Sequence, residues 1–229
     1  MGWVVAFAGQ KGGTGKTTVA TAFAVAAAED GATVSIGDFD TRQKSSVSWG
    51  ERRAANGLKP RIQVQLMAND KAVKLARELV DLLVLDLPGS ADGLTLGVAQ
   101  ESDLVVVVTD TNALELEPTV DLLRALERDG LKSPRVVVAL TKVLDEKRAD
   151  EARGYLQKAG FEPLPVYLPH NRFVHDIGND GRAAVEIPNA PAAKQVRAFV
   201  QGLVDAFGRA TAHLRGQTRD DGAKRERDR

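Results

Sequence analysis

Gly9-Gln10-Lys11-Gly12-Gly13-Thr14-Gly15-Lys16-Thr17-Thr18 stands between two segments of different pattern. Before it, Trp3 to Ala8 is a continuous apolar run rich in Val and Phe, as in a buried strand. After it, Thr17 to Ala28 is alanine-rich and free of Pro and Gly, as in a helix. A glycine cluster at a strand-to-helix junction lets backbone N–H groups close round phosphate oxygens while the positive end of the helix dipole faces the same anion. In that setting Lys16 is expected to reach the β- and γ-phosphates of a nucleotide, and the Thr17 hydroxyl to ligate Mg²⁺. Gly12, Gly13 and Gly15 together with Lys11, Lys16, Thr17 and Thr18 in this register exceed what a bare turn requires.

The loop departs from the ordinary phosphate-loop spacing, because Gln10 holds the place of the first glycine and a second lysine, Lys11, stands at the front. In this it resembles the deviant Walker A motif of the ParA/MinD family of P-loop ATPases. The resemblance implies ATP and Mg²⁺ as ligands, with Lys11, Gly12, Gly13, Thr14, Gly15, Lys16, Thr17 and Thr18 around the nucleotide. It also implies a homodimer sandwiched on ATP, in which Lys11 reaches the partner's phosphates.

Two more stretches carry the resemblance. Ala32 to Gly37 reads as a second strand ending in Asp38-Phe39-Asp40, and carboxylates at the C-terminal end of a strand face the ligand crevice of open parallel sheets. By resemblance Asp40 orients the attacking water and Asp38 supports the Mg²⁺ shell, although Thr41-Arg42-Gln43 replaces the common Pro-Gln that follows in relatives. Leu82 to Leu87 is a strand apolar on both faces, closed by Asp86-Leu87-Pro88-Gly89. It looks like the family's Walker B element, with Asp86 holding Mg²⁺ through a water and Pro88-Gly89 opening a loop that senses the γ-phosphate.

Elsewhere, Ser45 to Asn56 reads as a polar helix, Arg61 to Met67 as a strand and Asp70 to Leu79 as a weaker helix. Leu104 to Thr109 and Val136 to Leu140 read as buried strands. Between them Leu116 to Arg128 is helical, its Leu116, Leu122 and Leu126 stripe being core rather than a partner groove. Thr141, after a strand, takes a position where relatives contact adenine. Pro169-His170-Asn171 resembles the family's Pro-x-Asn adenine loop, so Pro169 and Asn171 are expected at the base; His170 and His175 are too few to build a metal site. A last helix spans about Pro191 to Leu214. The expected organisation is one domain over 1–214 and a charged, disordered tail over 215–229.

Strands alternating with helices give a three-layer α/β fold with a mostly parallel twisted sheet, helices on both faces, as in P-loop NTPases. The 31 basic and 31 acidic side chains cancel, so contact with nucleic acid must come from a local patch. In the short ParA type that patch precedes and opens the last helix, which points to Arg172, Arg182, Lys194 and Arg197, with Phe173 where relatives often carry arginine. The absence of cysteine excludes disulfides, thiolate nucleophiles and a cysteine-held cluster of the nitrogenase iron protein kind. With no membrane-length apolar run and no signal pattern, a cytoplasmic, nucleoid-associated protein is expected. The function implied is a ParA-type partitioning ATPase that binds DNA without sequence preference and answers to a small ParB-like adaptor, with no membrane partner. A MinD-like membrane cycle shares the nucleotide motifs but needs an amphipathic C-terminal helix, whereas the chain ends in mixed charges. A metabolic ATP-dependent enzyme of the same fold is the third reading, against which Lys11 argues.

Overall fold

The structure, a computed structural model, describes residues 1–90, 93–188 and 190–227, with the side chains of 190 and 218–227 outside the description. In chain order β1 (Trp3–Ala8), α1 (Lys16–Glu29), β2 (Val34–Asp38), α2 (Ser45–Ala55), β3 (Gln63–Leu66), α3 (Asp70–Ala76) and β4 (Leu82–Asp86) form the first half. They are followed by α4 (Gly93–Gln100), β5 (Leu104–Thr109), α5 (Ala113–Arg128), β6 (Val136–Val143), α6 (Glu146–Lys158), β7 (Pro163–Pro169), α7 (Arg172–Asp176) and α8 (Ala190–Arg227). The seven strands make one sheet in the order β3-β2-β4-β1-β5-β6-β7, and every pairing is parallel, where the sequence pattern alone allowed a mixed sheet.

The period-two alternation of β1 builds two cores at once. Val5 and Phe7 join the cluster under α1, α2 and α8, while Val4, Ala6 and Ala8 join the cluster under α3, α4, α5 and α6. Leu116, Leu122 and Leu126 lie in the second core, as their spacing indicates. Because α1 is wedged between the sheet and α8, its alanines are its packing surface: Ala20, Ala22 and Ala24 are all buried, and small side chains let the helices approach closely.

Several elements differ from the sequence reading in extent: α5 starts at Ala113 rather than Leu116, and α3 stops at Ala76 rather than Leu79. Val136–Val143 runs three residues past Leu140, and α8 keeps a helical backbone past Leu214 to Arg227, into the segment expected to be a disordered tail. The tail offers Lys, Arg, Glu, Gln and Ala, which favour helix, with Gly216 and Gly222 as its weakest helix formers. The side-chain character of 218–229 lies outside the described residues. Since β1 is flanked by β4 and β5 and the chain winds outward from it on both sides, the turn after β1 opens at the switch point of the sheet, where such folds bind ligands.

Candidate nucleotide-binding site

The loop between β1 and α1 is shaped by left-handed residues: Gly13 has φ 81° and Gly15, the N-cap of α1, has φ 91°. Glycine takes these values without steric cost. No side chain caps α1 and no acidic residue stands in its first turn, so its orphan N–H groups and its dipole are left for an anion. Lys16 is buried and donates from Nζ to the Lys11 carbonyl at 2.8 Å. Burial pushes its pKa down against the pull of Asp86, Asp40 and Glu115, so the cation is held in a poorly solvated place. A cavity of about 330 Å³ opens above, lined by Gly12, Lys16, Thr17, Asp40, Asp86 and Lys142 among others.

Beside it three oxygen groups converge. Thr17 Oγ1 donates to Asp86 Oδ2 at 2.6 Å, and Ser46 Oγ donates to the same oxygen at 2.8 Å. Burial raises the Asp86 pKa to about 6, with the Thr17 and Ser46 bonds pulling the other way. Ser46, absent from the sequence reading, is fully buried in the first turn of α2. Among the described residues no group of His, Cys, Asp and Glu forms a self-sufficient metal cage. Hydroxyl and carboxylate oxygens with an adjoining anion cavity instead suit Mg²⁺, which keeps waters and takes further ligands from phosphate. The donor set therefore fits a nucleoside polyphosphate with Mg²⁺ at Thr17 and, through water, at Asp86.

Asp38, expected to support the metal shell, is bound to backbone N–H groups. It pairs in register with Asp86 across β2 and β4 but is fully buried, and its carboxylate accepts the N–H groups of Asp40 at 3.0 Å, Ser46 at 2.9 Å and Val47 at 3.1 Å. Those three bonds tie the carboxylate to the backbone at the end of β2 and the start of α2. Asp38 thus anchors the start of α2 and delivers Ser46 to Asp86. Asp40 does line the cavity; its Oδ1 accepts the N–H groups of Arg42 and Gln43, which fixes the turn after β2.

Lys11 lies folded onto its own chain. Its Nζ donates to the Leu114 carbonyl at 2.6 Å and pairs with Glu115 Oε1 at 3.2 Å, both in the first turn of α5. Gly89, after Asp86, passes so close to the loop that a Cβ there would stand 2.6 Å from the Lys11 carbonyl carbon and 2.7 Å from the Gly12 nitrogen. The two loops touch through bare backbone, a reason for glycine that the sequence motif does not reveal.

The residues expected at the base are placed differently from one another. Thr141 is fully buried beneath the loop, its hydroxyl donating to the Thr14 carbonyl at 2.6 Å and lying 3.1 Å from that of Thr109, so it supports the loop rather than facing a base. Asn171 Oδ1 caps α7 by accepting the Phe173 N–H at 2.9 Å, and Pro169 ends β7. Neither lines the loop cavity or the adjoining one of about 290 Å³, which shares Thr17, Thr18 and His175 with it and continues to Trp49, Val174 and Ile177. Of the residues expected to meet DNA, Arg172, Arg182, Lys194 and Arg197 are all exposed. Arg182 joins Arg52 at the second cavity, while Lys194 and Arg197 lie on the face of α8 away from the buried Val196, Phe199 and Leu203.

Comparison with known proteins agrees with this geometry. The model of the CobQ/CobB/MinD/ParA nucleotide binding domain matches residues 5–182. Among solved structures, the cell division ATPase MinD of Pyrococcus furiosus superposes with a TM-score of 0.73 at 17% identity, covering 90% of this chain and 99% of that one. The septum site-determining protein MinD of Pyrococcus horikoshii, in complex with Mg-ADP, gives 0.71 at 17% identity over 89% and 96%. A Borrelia burgdorferi plasmid partition protein bound to AMPPNP gives 0.68 at 16% identity over 90% and 99%. At these identities the likeness is one of fold. Comparison with curated proteins gives no match.

Proposed function

The chain belongs to the CobQ/CobB/MinD/ParA nucleotide-binding family, and on that premise we propose that it is a Mg²⁺-dependent ATPase of the ParA type, which dimerises around ATP, binds DNA without sequence preference in that state and positions a plasmid, chromosome region or other large cargo. The observation that carries the reading is a buried Lys16 beside the Thr17–Asp86–Ser46 cluster, bonded to the carbonyl of a second lysine, Lys11, whose own ammonium is held by Leu114 and Glu115.

The chemistry follows from the residues. Lys16 and the free N–H groups of α1 hold the β- and γ-phosphates. Thr17 ligates Mg²⁺, which when bound neutralises charge developing on the transferred phosphoryl group, and Asp86 steadies a water in its shell. Asp40, at the cavity wall, accepts the proton of the attacking water and orients it. Lys11, once it leaves Glu115, supplies positive charge to the partner's phosphates, so hydrolysis waits on dimer formation. Hydrolysis then resets the cycle, with a small ParB-like adaptor as the stimulating partner. Among the described residues no helix is long and apolar enough to cross a membrane.

The DNA half of the reading rests on Lys194 and Arg197, three apart on one exposed face of α8. A dimer doubles the patch, and each phosphate neutralised adds a slope of about −0.9 in log affinity against log salt. The test is retention of random-sequence duplex at low salt: it is expected only with ATP and Mg²⁺, and expected to vanish in Lys194→Glu/Arg197→Glu while ATP-dependent dimerisation persists. ATP-dependent binding to anionic vesicles in place of duplex would overturn this reading in favour of a MinD-like membrane cycle.

A further inference from the structure

Strand β6 carries one residue too many at its end. Leu140 and Val143 both face the core under α5 and α6 although they are three apart, and they pair with Tyr167 and Pro169, which are two apart on β7. This is a bulge, a device that re-aims a side chain at the cost of local ladder regularity. The two intervening residues point the other way, at the phosphate loop. Thr141 Oγ1 donates to the Thr14 carbonyl, and Lys142 Nζ donates to the carbonyl of Gly13. Consecutive residues of β6 thus hold consecutive carbonyls of the loop.

Lys142 does this from a strained backbone. Its φ is 53°, in the left-handed region that lysine disfavours, and among the described residues the other non-glycine at positive φ is Lys44, at 51°, which caps α2 just ahead of Ser46. Such outliers persist where the surrounding structure over-determines them, and they cluster at ligand and active sites. The Lys142 side chain is exposed and lines the phosphate cavity, so it packs into no core.

We infer that Lys142 is a positioning residue of the nucleotide site, holding the front of the phosphate loop through Gly13 and bringing a further ammonium to the cavity that receives the polyphosphate. This deepens the nucleotide-binding reading and rests on it. Gly13 has a left-handed backbone in open space, and its carbonyl must point away from the anion for the following N–H groups to point towards it. Lys142 takes that carbonyl, and its charge favours an incoming polyphosphate over an uncharged ligand.

Lys142→Met, Lys142→Gly and Lys142→Arg in the full chain separate side chain from backbone. Calorimetry with ATP and with ADP is expected to show about tenfold weaker binding of both in the Met variant, the loss typical of a hydrogen bond to a charged group. KM for ATP should rise by the same factor with kcat within twofold of wild type. Arg should restore affinity to within about threefold. Gly, which takes φ 53° without strain, should bind as weakly as Met while melting no lower than wild type. Wild-type affinity in the Met variant, or affinity restored by Gly, would overturn the inference while leaving the nucleotide site intact. Failure of the wild-type chain to bind either nucleotide would overturn the nucleotide reading itself and the inference with it.

Discussion

Replacing Gly89 by alanine would press one methyl group against the phosphate loop from behind. The added Cβ would stand 2.6 Å from the Lys11 carbonyl carbon, 2.7 Å from the Gly12 nitrogen and 2.9 Å from the Lys11 oxygen, whereas carbon atoms rest about 3.5–4.0 Å apart. Both partners are backbone, so no rotamer change relieves the clash. The two loops must part by close to an ångström. The Lys11 carbonyl is also the acceptor for Lys16 Nζ at 2.8 Å, so moving it disturbs the buried ammonium. Overpacking of this size costs about 1–3 kcal/mol. The loop faces solvent on its outer side and the sheet does not, so the cost falls on the loop and appears as about 5- to 150-fold weaker ATP binding. Isothermal titration with ATP and Mg²⁺, alongside thermal unfolding of the nucleotide-free protein, reads both. An affinity within twofold of wild type at an unchanged melting temperature would refute the contact as a determinant of the loop.

Three other substitutions address separate roles. Ser46→Ala removes one of the two donors to Asp86 and should weaken Mg²⁺ about tenfold, read as the Mg²⁺ concentration that half-saturates ATP hydrolysis; an unshifted value would leave Ser46 with a packing role alone. Asp40→Ala should cut hydrolysis by about 10²- to 10⁴-fold while prolonging the ATP-bound dimer in stopped-flow dissociation, and wild-type turnover would move the base assignment elsewhere. Glu115→Gln removes the ion pair that keeps Lys11 at home. That pair is half exposed and stabilises by about 0–1 kcal/mol after solvent screening, so sedimentation should show the ATP dimer tightening by no more than about fivefold, and a weakened dimer would contradict the cis tether.

The strand-to-helix junction around Lys16 was legible because its signal is local: periodicity changes across ten residues, and glycines mark the turn. The doubly apolar runs of β4, β5 and β6 were legible for the same reason. What stayed hidden depends on pairs far apart in the chain. Ser46 looks like any serine at a helix start until parallel pairing sets Asp38 beside Asp86 and α2 docks its first turn on both. Asp38 reads by resemblance as a support of the Mg²⁺ shell, and only the fold shows that its oxygens take the N–H groups of Asp40, Ser46 and Val47. Thr141 reads as the residue after a strand, but β6 continues through a bulge to Val143 and leaves it under the loop. Helix α6 is hard to read from sequence because its buried side is only Ala149, Ala152 and Leu156, too small a stripe to stand out among charges. Lys11 shows the limit most plainly: spacing brings a second cation to the loop, and only coordinates reveal that Glu115 and the Leu114 carbonyl hold it.

The mass of the protein in saturating Mg-ATP, measured by light scattering for wild type and Lys11→Ala, bears most directly on whether this is a nucleotide-sandwich ATPase. Wild type should move from monomer to twice that mass on adding ATP and return as ATP is consumed. Lys11→Ala should bind ATP with affinity close to wild type, because Lys16 and the α1 N-terminus remain, and yet stay monomeric. A wild-type chain that stays monomeric with ATP bound, or a Lys11→Ala variant that dimerises as readily, would contradict the sandwich and Lys11's role across it.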